Sequence, residues 1–263
     1  WRDIAGLDDA AADALVRADG IDILVDLSGH THGNRLSLFQ RKPAPVQVSW
    51  LGYGTTTGLT AIDYYLADAR LVPPGWEHLY AETVWRLPEC FLCMARPEGM
   101  PAPGPLPDGP PVFGHAGRSI RLNDHVLDAW AALLRAVPDA RLVLNALPFR
   151  EWDSQNDFRG RFERRGIAPE RLELHWRRPP WEDYARFHVA LDPFPHTAGT
   201  TTLDALLQGV PVVSLRDRPP VGRMGDSLLT AAGLGDLVAD DAESYVAAAA
   251  GLVRDPDRLA ELR

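Results

Sequence analysis

Between Arg96 and Pro111 the chain sets Pro97, Pro101, Pro103, Pro105, Pro107, Pro110 and Pro111 among three glycines. Proline fixes φ and removes an amide donor, so neither a helix nor a central strand runs through such a stretch. Residues 96–111 therefore read as a linker. What lies on either side, 1–95 and 112–263, must each close a core of its own, and each is long enough to do so.

Both stretches alternate short β-branched runs with helical patterns, which predicts α/β architecture: parallel sheets with crossover helices. In the first, Asp8 to Ala18 is helical, Gly20 stops it, and Ile21 to Leu27 reads as a strand. Ser28-Gly29-His30-Thr31-His32-Gly33 is a loop at that strand's end. Val46 to Leu51 is the next strand, followed by the loop Gly52-Tyr53-Gly54-Thr55-Thr56-Thr57-Gly58 and a strand over Tyr64 to Ala67. In the second, Val112-Phe113-Gly114 opens the pattern. Asn123 or Asp124 caps a helix whose apolar face is Val126, Leu127, Trp130, Leu133, Leu134 and Val137. Strands follow at Arg141 to Asn145, Leu172 to His175, His188 to Asp192 and Val210 to Leu215, and the tail from Ala242 is helical with a break at Asp255-Pro256.

Charge narrows the partners. With 27 Lys+Arg against 36 Asp+Glu, the net charge of -9 works against non-specific binding to nucleic acid or anionic lipid. No run of about 18 apolar residues offers a membrane crossing. The start, Trp1-Arg2-Asp3, has neither a signal-peptide pattern nor an initiator Met, so the chain reads as a piece of a longer cytoplasmic protein. Cys90 and Cys93 supply half of a tetrahedral zinc set and read as buried or half-buried thiols. Asp255-Pro256-Asp257 has the form of a metal-diphosphate motif, but its place at a helix start makes it a cap. No metal is expected.

The stretch from Leu191 to Gly209 is the most informative. A strand ends in Asp192, small residues follow through Gly199, Thr200, Thr201 and Thr202, and a helix begins with Asp204 in its first turn. Ligands of open parallel sheets bind beyond the carboxyl ends of strands. A helix N-terminus offers unpaired N–H groups and about half a positive charge, which suits phosphate. Gly199 permits close approach, the threonine hydroxyls add donors, and the Asp204 carboxylate could accept from ribose hydroxyls. The competing reading is a capped helix whose threonines serve its own amides.

The motifs Asp22 to Thr31, Arg41 to Gln47, Trp50-Leu51-Gly52-Tyr53 and Gly199 to Leu206 resemble the catalytic region of the protein O-GlcNAc transferases, glycosyltransferase family 41, with their bacterial and plant SPINDLY-like relatives. The resemblance covers nearly the whole chain and keeps the motifs in order. It implies a GT-B fold: two Rossmann-like doubly wound domains, the first incomplete at its N-terminus, with the nucleotide sugar in the cleft. It also implies TPR repeats ahead of the catalytic region in the full-length protein. The family's diphosphate and ribose contacts map onto Gly199, Thr200, Thr201, Thr202 and Asp204. Animal members have His where this chain has Gly199. Matching Phe113-Gly114 and Asn123-Asp124 places Arg118 on a phosphate-contacting Gln of the family and Arg121 on its essential Lys. His30, Tyr53, Gly54 and Thr55 correspond to loops near the sugar and acceptor, and His115 and His196 border the site loops. The family's catalytic His falls upstream of Trp1.

The expected activity is inverting transfer of a sugar, GlcNAc from UDP-GlcNAc, to Ser or Thr hydroxyls of acceptor proteins, with Arg121 stabilising the leaving diphosphate. The alternatives are a UDP-binding pseudoenzyme or inactive fragment, and a sugar-nucleotide epimerase of GT-B architecture.

Overall fold

In the computed structural model, which describes residues 1–218 and 220–263, the chain divides into two units, Trp1–Cys93 and Met94–Arg218 with Gly222–Arg263. The first opens with α1 (Asp9–Ala18), whose first turn is capped by the Asp8 carboxylate on the Ala11 N–H at 2.8 Å. Gly20, at φ 62, turns the chain into β1 (Ile23–Asp26). After α2 (Leu36–Gln40) come β2 (Val46–Ser49), β3 (Tyr64–Asp68) and β4 (Thr83–Leu87), all parallel in the order β1-β2-β3-β4. The strand β4 escapes a sequence reading because only a single 3₁₀ turn, Glu77–Leu79, stands in its crossover, so no helical period announces it.

The second unit runs β5 (Val112–Ala116), α3 (Asp124–Ala136), β6 (Arg141–Asn145), α4 (Trp152–Glu163), β7 (Leu172–His175), α5 (Trp181–Tyr184) and β8 (Val189–Leu191). It continues with α6 (Thr200–Leu207), β9 (Val212–Leu215), α7 (Met224–Ala231), β10 (Val238–Ala239), α8 (Ala242–Arg254) and α9 (Pro256–Leu262). Six parallel strands lie in the order β7-β6-β5-β8-β9-β10. This is the doubly wound arrangement, and its order reverses between β5 and β8. The central strands are apolar on both faces because helices cover both, and the predicted face of α3 is buried from Val126 to Val137. The carboxylate of Asp255 caps α9 through the Arg258 N–H at 3.0 Å, so the Asp-Pro-Asp sequence serves a helix start.

The proline-rich stretch carries no helix or strand and lies along the second unit. Met100 is buried, Pro101 O accepts from Gln208 Nε2 at 2.8 Å, and Gly104 O accepts from Arg263 Nε at 3.1 Å. Cys90 and Cys93 form no disulfide; Cys90 is half-buried, its Sγ donating to Leu92 O at 3.4 Å, and Cys93 is exposed rather than half-buried. Among the described residues no helix is long and apolar enough to cross a membrane.

Candidate functional site

The ladder between β5 and β8 pairs Phe113 with Val189 and Gly114 with Ala190, and it goes no further. Beyond that point the strands part, and the loops leaving their carboxyl ends form the crevice where doubly wound sheets bind ligands. The His115 side chain fills the gap, its Nδ1 lying 3.1 Å from Leu191 O. A carbonyl only accepts, so Nδ1 carries the proton and Nε2 is a bare acceptor, buried and without a partner among the described residues. Burial drives the His115 pKa down to about 4.

The loop after β8 is built on Asp192. Its Oδ1 accepts from Ala198 N at 2.7 Å and its Oδ2 from Ser214 Oγ at 2.7 Å, while its carbonyl accepts from Tyr245 Oη at 3.1 Å. Burial raises the Asp192 pKa to about 7, against the pull of those two hydrogen bonds and of the Arg121 charge. The chain then enters α6 at Thr200, with Gly199 as a cap that has no side chain to offer. The Gly199 carbonyl takes the N–H of Thr202 and of Leu203, both at 3.1 Å. The N–H groups of Gly199, Thr200 and Thr201 have no acceptor among the described residues. They are the orphan donors of a helix start, with the positive end of its dipole behind them.

The three threonines do not play one part. Thr200 is exposed and Thr201 half-buried, but Thr202 is only 2% exposed and its hydroxyl donates to Ala198 O at 3.2 Å. Asp204, fifth in α6 rather than in its first turn, is half-buried, and burial raises its pKa. Among the described residues its carboxylate has no hydrogen bond or ion pair, so it stands ready to accept.

Arg118 and Arg121 flank a short 3₁₀ turn after β5, Arg118 exposed and Arg121 half-buried. Neither guanidinium has a hydrogen bond or ion pair among the described residues. Burial lowers the Arg121 pKa, the Arg118 charge adds to that, and Asp192 opposes it. Burial also lowers the pKa of half-buried His196 in the β8–α6 loop, and the charges of Arg121 and Arg118 lower it further. Asn123 ties the two loops: its Oδ1 caps α3 through Val126 N at 3.2 Å, and its Nδ2 donates to Phe194 O at 2.7 Å. Arg118, Arg121, Gly199 to Thr202 and Asp204 thus gather at one end of the second sheet.

His30, Tyr53, Gly54 and Thr55 belong to the first unit, where the fold brings them together. The rings of His30 and Tyr53 meet edge to face at 5.9 Å, and His30 Nε2 lies 3.1 Å from Thr56 O. A side chain at Gly52 would start 2.7 Å from Leu27 O, so glycine is what lets these loops nestle. Among the described residues no group of three or more His, Cys, Asp or Glu side chains is placed to hold a metal ion. Sequence reasoning passed over Asp192, Ser214 and the tie made by Asn123; an aspartate closing an otherwise apolar central strand was the available signal.

The second unit is an α/β doubly wound sheet with free amides and unpaired guanidinium groups at its switch point, the place where such sheets bind ligands. The chain matches glycosyl transferase family 41 over residues 4–98 and 104–263 and belongs to that family, with its GT-B type of fold. It is similar to a solved mutant of the Thermobaculum terrenum O-GlcNAc transferase, at 45% identity and a TM-score of 0.96 over 100% of this chain and 51% of that one. It is also 39% identical to the probable UDP-N-acetylglucosamine–peptide N-acetylglucosaminyltransferase SPINDLY of Oryza sativa subsp. japonica, over 100% of this chain and 29% of the relative. With the Arabidopsis thaliana protein of the same name the identity is 38%, over 100% and 30%. The chain thus spans under a third of the length of these curated relatives.

Proposed function

We propose that this chain is the part of a protein O-GlcNAc transferase that holds the sugar nucleotide, and that the protein moves GlcNAc from UDP-GlcNAc to Ser or Thr hydroxyls of acceptor proteins. The observation that carries the reading is the set of free donors at one crevice: the N–H groups of Gly199, Thr200 and Thr201, and the unpaired Arg121 guanidinium. The names of the relatives supply the donor and the peptide acceptor. The diphosphate sits on the α6 N-terminus, Arg121 grips its oxygens, Arg118 adds charge at the rim, and Asp204 accepts from the ribose. The acceptor hydroxyl attacks the anomeric carbon with inversion as the C–O bond to the diphosphate breaks. The charge left on the diphosphate is met by Arg121 and the oriented amides, which need no reorganisation as it develops. His30, Tyr53, Gly54 and Thr55 serve the sugar and the acceptor. TPR repeats elsewhere in the full-length protein would select acceptors.

Titration with UDP, UDP-GlcNAc and GDP-fucose, in wild type, Thr201→Ala and Asp204→Ala, tests the reading. UDP and UDP-GlcNAc are expected to bind, with affinity falling about tenfold in Asp204→Ala as a charge-assisted hydrogen bond is lost. Indifference to all three ligands would sink it. Turnover separates the activity from a binding-only role. Peptide glycosylation by the full-length protein but not by residues 1–263 means a partial site, and turnover by neither means a pseudoenzyme.

A further inference from the structure

The crevice floor contains a group that the proposed reaction does not use. Asp192 is 2% exposed, has no ion pair among the described residues, and lies under the loop assigned to the diphosphate. Two donors hold it, Ala198 N and Ser214 Oγ, each at 2.7 Å. The space beside Oδ2 exists only because residue 225 is glycine: a Cβ there would stand 2.6 Å from Oδ2 and 2.1 Å from Ser214 Oγ. Through Ala198 the carboxyl fixes the turn from which the Gly199, Thr200 and Thr201 N–H groups project.

Resting on the reading of that loop as the diphosphate site, we infer that Asp192 is its positioning residue and that it takes up a proton when the diphosphate binds. An ionised carboxylate behind an anion site repels the ligand that the amides in front attract, and a buried one has no solvent to screen it. Neutral, the carboxyl still accepts the Ala198 N–H at Oδ1. The proton comes from solvent to Oδ2 and is donated to Ser214 Oγ, whose hydroxyl turns from donor to acceptor.

In the free protein the Asp192 pKa is already near 7, so the incoming charge has only to push it higher. The other charged and titratable neighbours are accounted for element by element. Arg121 on the turn after β5 favours the ionised form, and this is the charge the diphosphate cancels. On β5, His115 stays neutral, with a pKa of about 4. Tyr245 on α8 is held neutral by burial. Asp226 on α7, next to Gly225, is paired with Arg223 at 3.0 Å and Arg216 at 3.5 Å. His196, on the same loop as Ala198, and Asp204 on α6, whose pKa burial raises, are the remaining titrating groups of the site.

The experiment is calorimetric titration of the whole chain with UDP-GlcNAc, whose diphosphate is esterified at both ends and keeps a constant charge from pH 6 to 9. It is run in two buffers of different ionisation enthalpy, on wild type, Asp192→Asn, Asp192→Ala and His196→Gln. Wild type should take up roughly 0.7 of a proton at pH 7.5 and lose about tenfold in affinity between pH 6 and 8.5. Asp192→Asn, which accepts from Ala198 and donates to Ser214 without charge, should show neither effect. Asp192→Ala should bind about tenfold more weakly than Asp192→Asn at every pH, also without proton uptake, because the turn loses its holder. His196→Gln should keep the wild-type proton uptake. Binding by wild type without proton uptake, or uptake that survives in Asp192→Asn, overturns the inference and leaves the proposed function standing. Absence of binding at any pH removes both.

Discussion

Two loops of this protein have nearly the same composition and different construction. In the first unit, Gly52 to Gly58 holds three glycines and three threonines; in the second, Thr197 to Thr202 holds a glycine and four threonines. Each is organised by a buried carboxylate. Glu82 accepts from Thr57 N at 2.7 Å, from Thr56 Oγ1 at 2.6 Å and from Thr57 Oγ1. Three more amides are engaged, Thr55 N on Tyr53 O at 2.8 Å, Gly58 N on Thr56 Oγ1 at 3.0 Å and Leu59 N on Thr57 Oγ1 at 3.2 Å, while those of Gly52, Tyr53, Gly54 and Thr56 have no acceptor among the described residues. Asp192 takes only Ala198 from its loop, and the next three N–H groups have no acceptor among the described residues. Glycine and threonine therefore do not make an anion site. What sets the second loop apart is a helix start, whose free amides are successive and backed by the positive end of the helix dipole.

The largest effect should come from removing the hub of the first loop. Glu82→Ala strands a buried amide and two hydroxyls, and should cost about 3 kcal/mol in urea unfolding. UDP affinity should move by less than about threefold, since the diphosphate donors are assigned to the other loop. A collapse of UDP binding with the fold intact would break the comparison. Next is Arg121→Met, which keeps the stem and removes the fork. It should weaken UDP about 10- to 100-fold without lowering the melting temperature, because a half-buried cation with no partner gives little to stability. Equal loss of melting temperature and affinity would make Arg121 a structural residue.

A third test asks whether the seat beneath the second loop is dry. His115 is 3% exposed, and burial lowers its folded pKa to about 4 from an ordinary 6.5. The unfolded chain binds the proton first, so this contribution is present above pH 6.5 and is lost as pH falls toward 4. Between pH 7.5 and 5 it removes roughly 2 kcal/mol. His115→Gln, which can still donate to Leu191 O, should show a smaller loss over that window. Chemical denaturation at the two pH values gives the difference, and equal losses in both proteins would mean that water reaches Nε2.

Much of this was written in the chain. The central strand β8 is an unbroken apolar run, buried throughout, and the helical period of α3 named its buried face residue by residue. Family resemblance gathered Arg118, Arg121 and Gly199 to Asp204 before any coordinates. What escaped was set by partners distant in sequence. Nothing near Thr202 says that its hydroxyl turns back to Ala198, and nothing near Asp192 says that Ser214, 22 residues on, will meet it. The strand β4 also escaped, because a lone 3₁₀ turn rather than a helix leads into it, and β10 because two residues cannot establish a period.

The smallest expected effect discriminates most finely. If the second loop binds through backbone amides, its hydroxyls should differ according to what they already hold. Thr202→Val keeps the shape of the side chain and removes only a hydroxyl bound to Ala198 O, so UDP affinity should change by less than about twofold. Thr201→Val removes a half-buried hydroxyl with no partner among the described residues, and should cost about three- to tenfold. Isothermal titration resolves the two. Should Thr202→Val prove the more damaging, the Thr202 hydroxyl must leave Ala198 when UDP binds. The loop would then remodel around its ligand rather than await it in the conformation seen here.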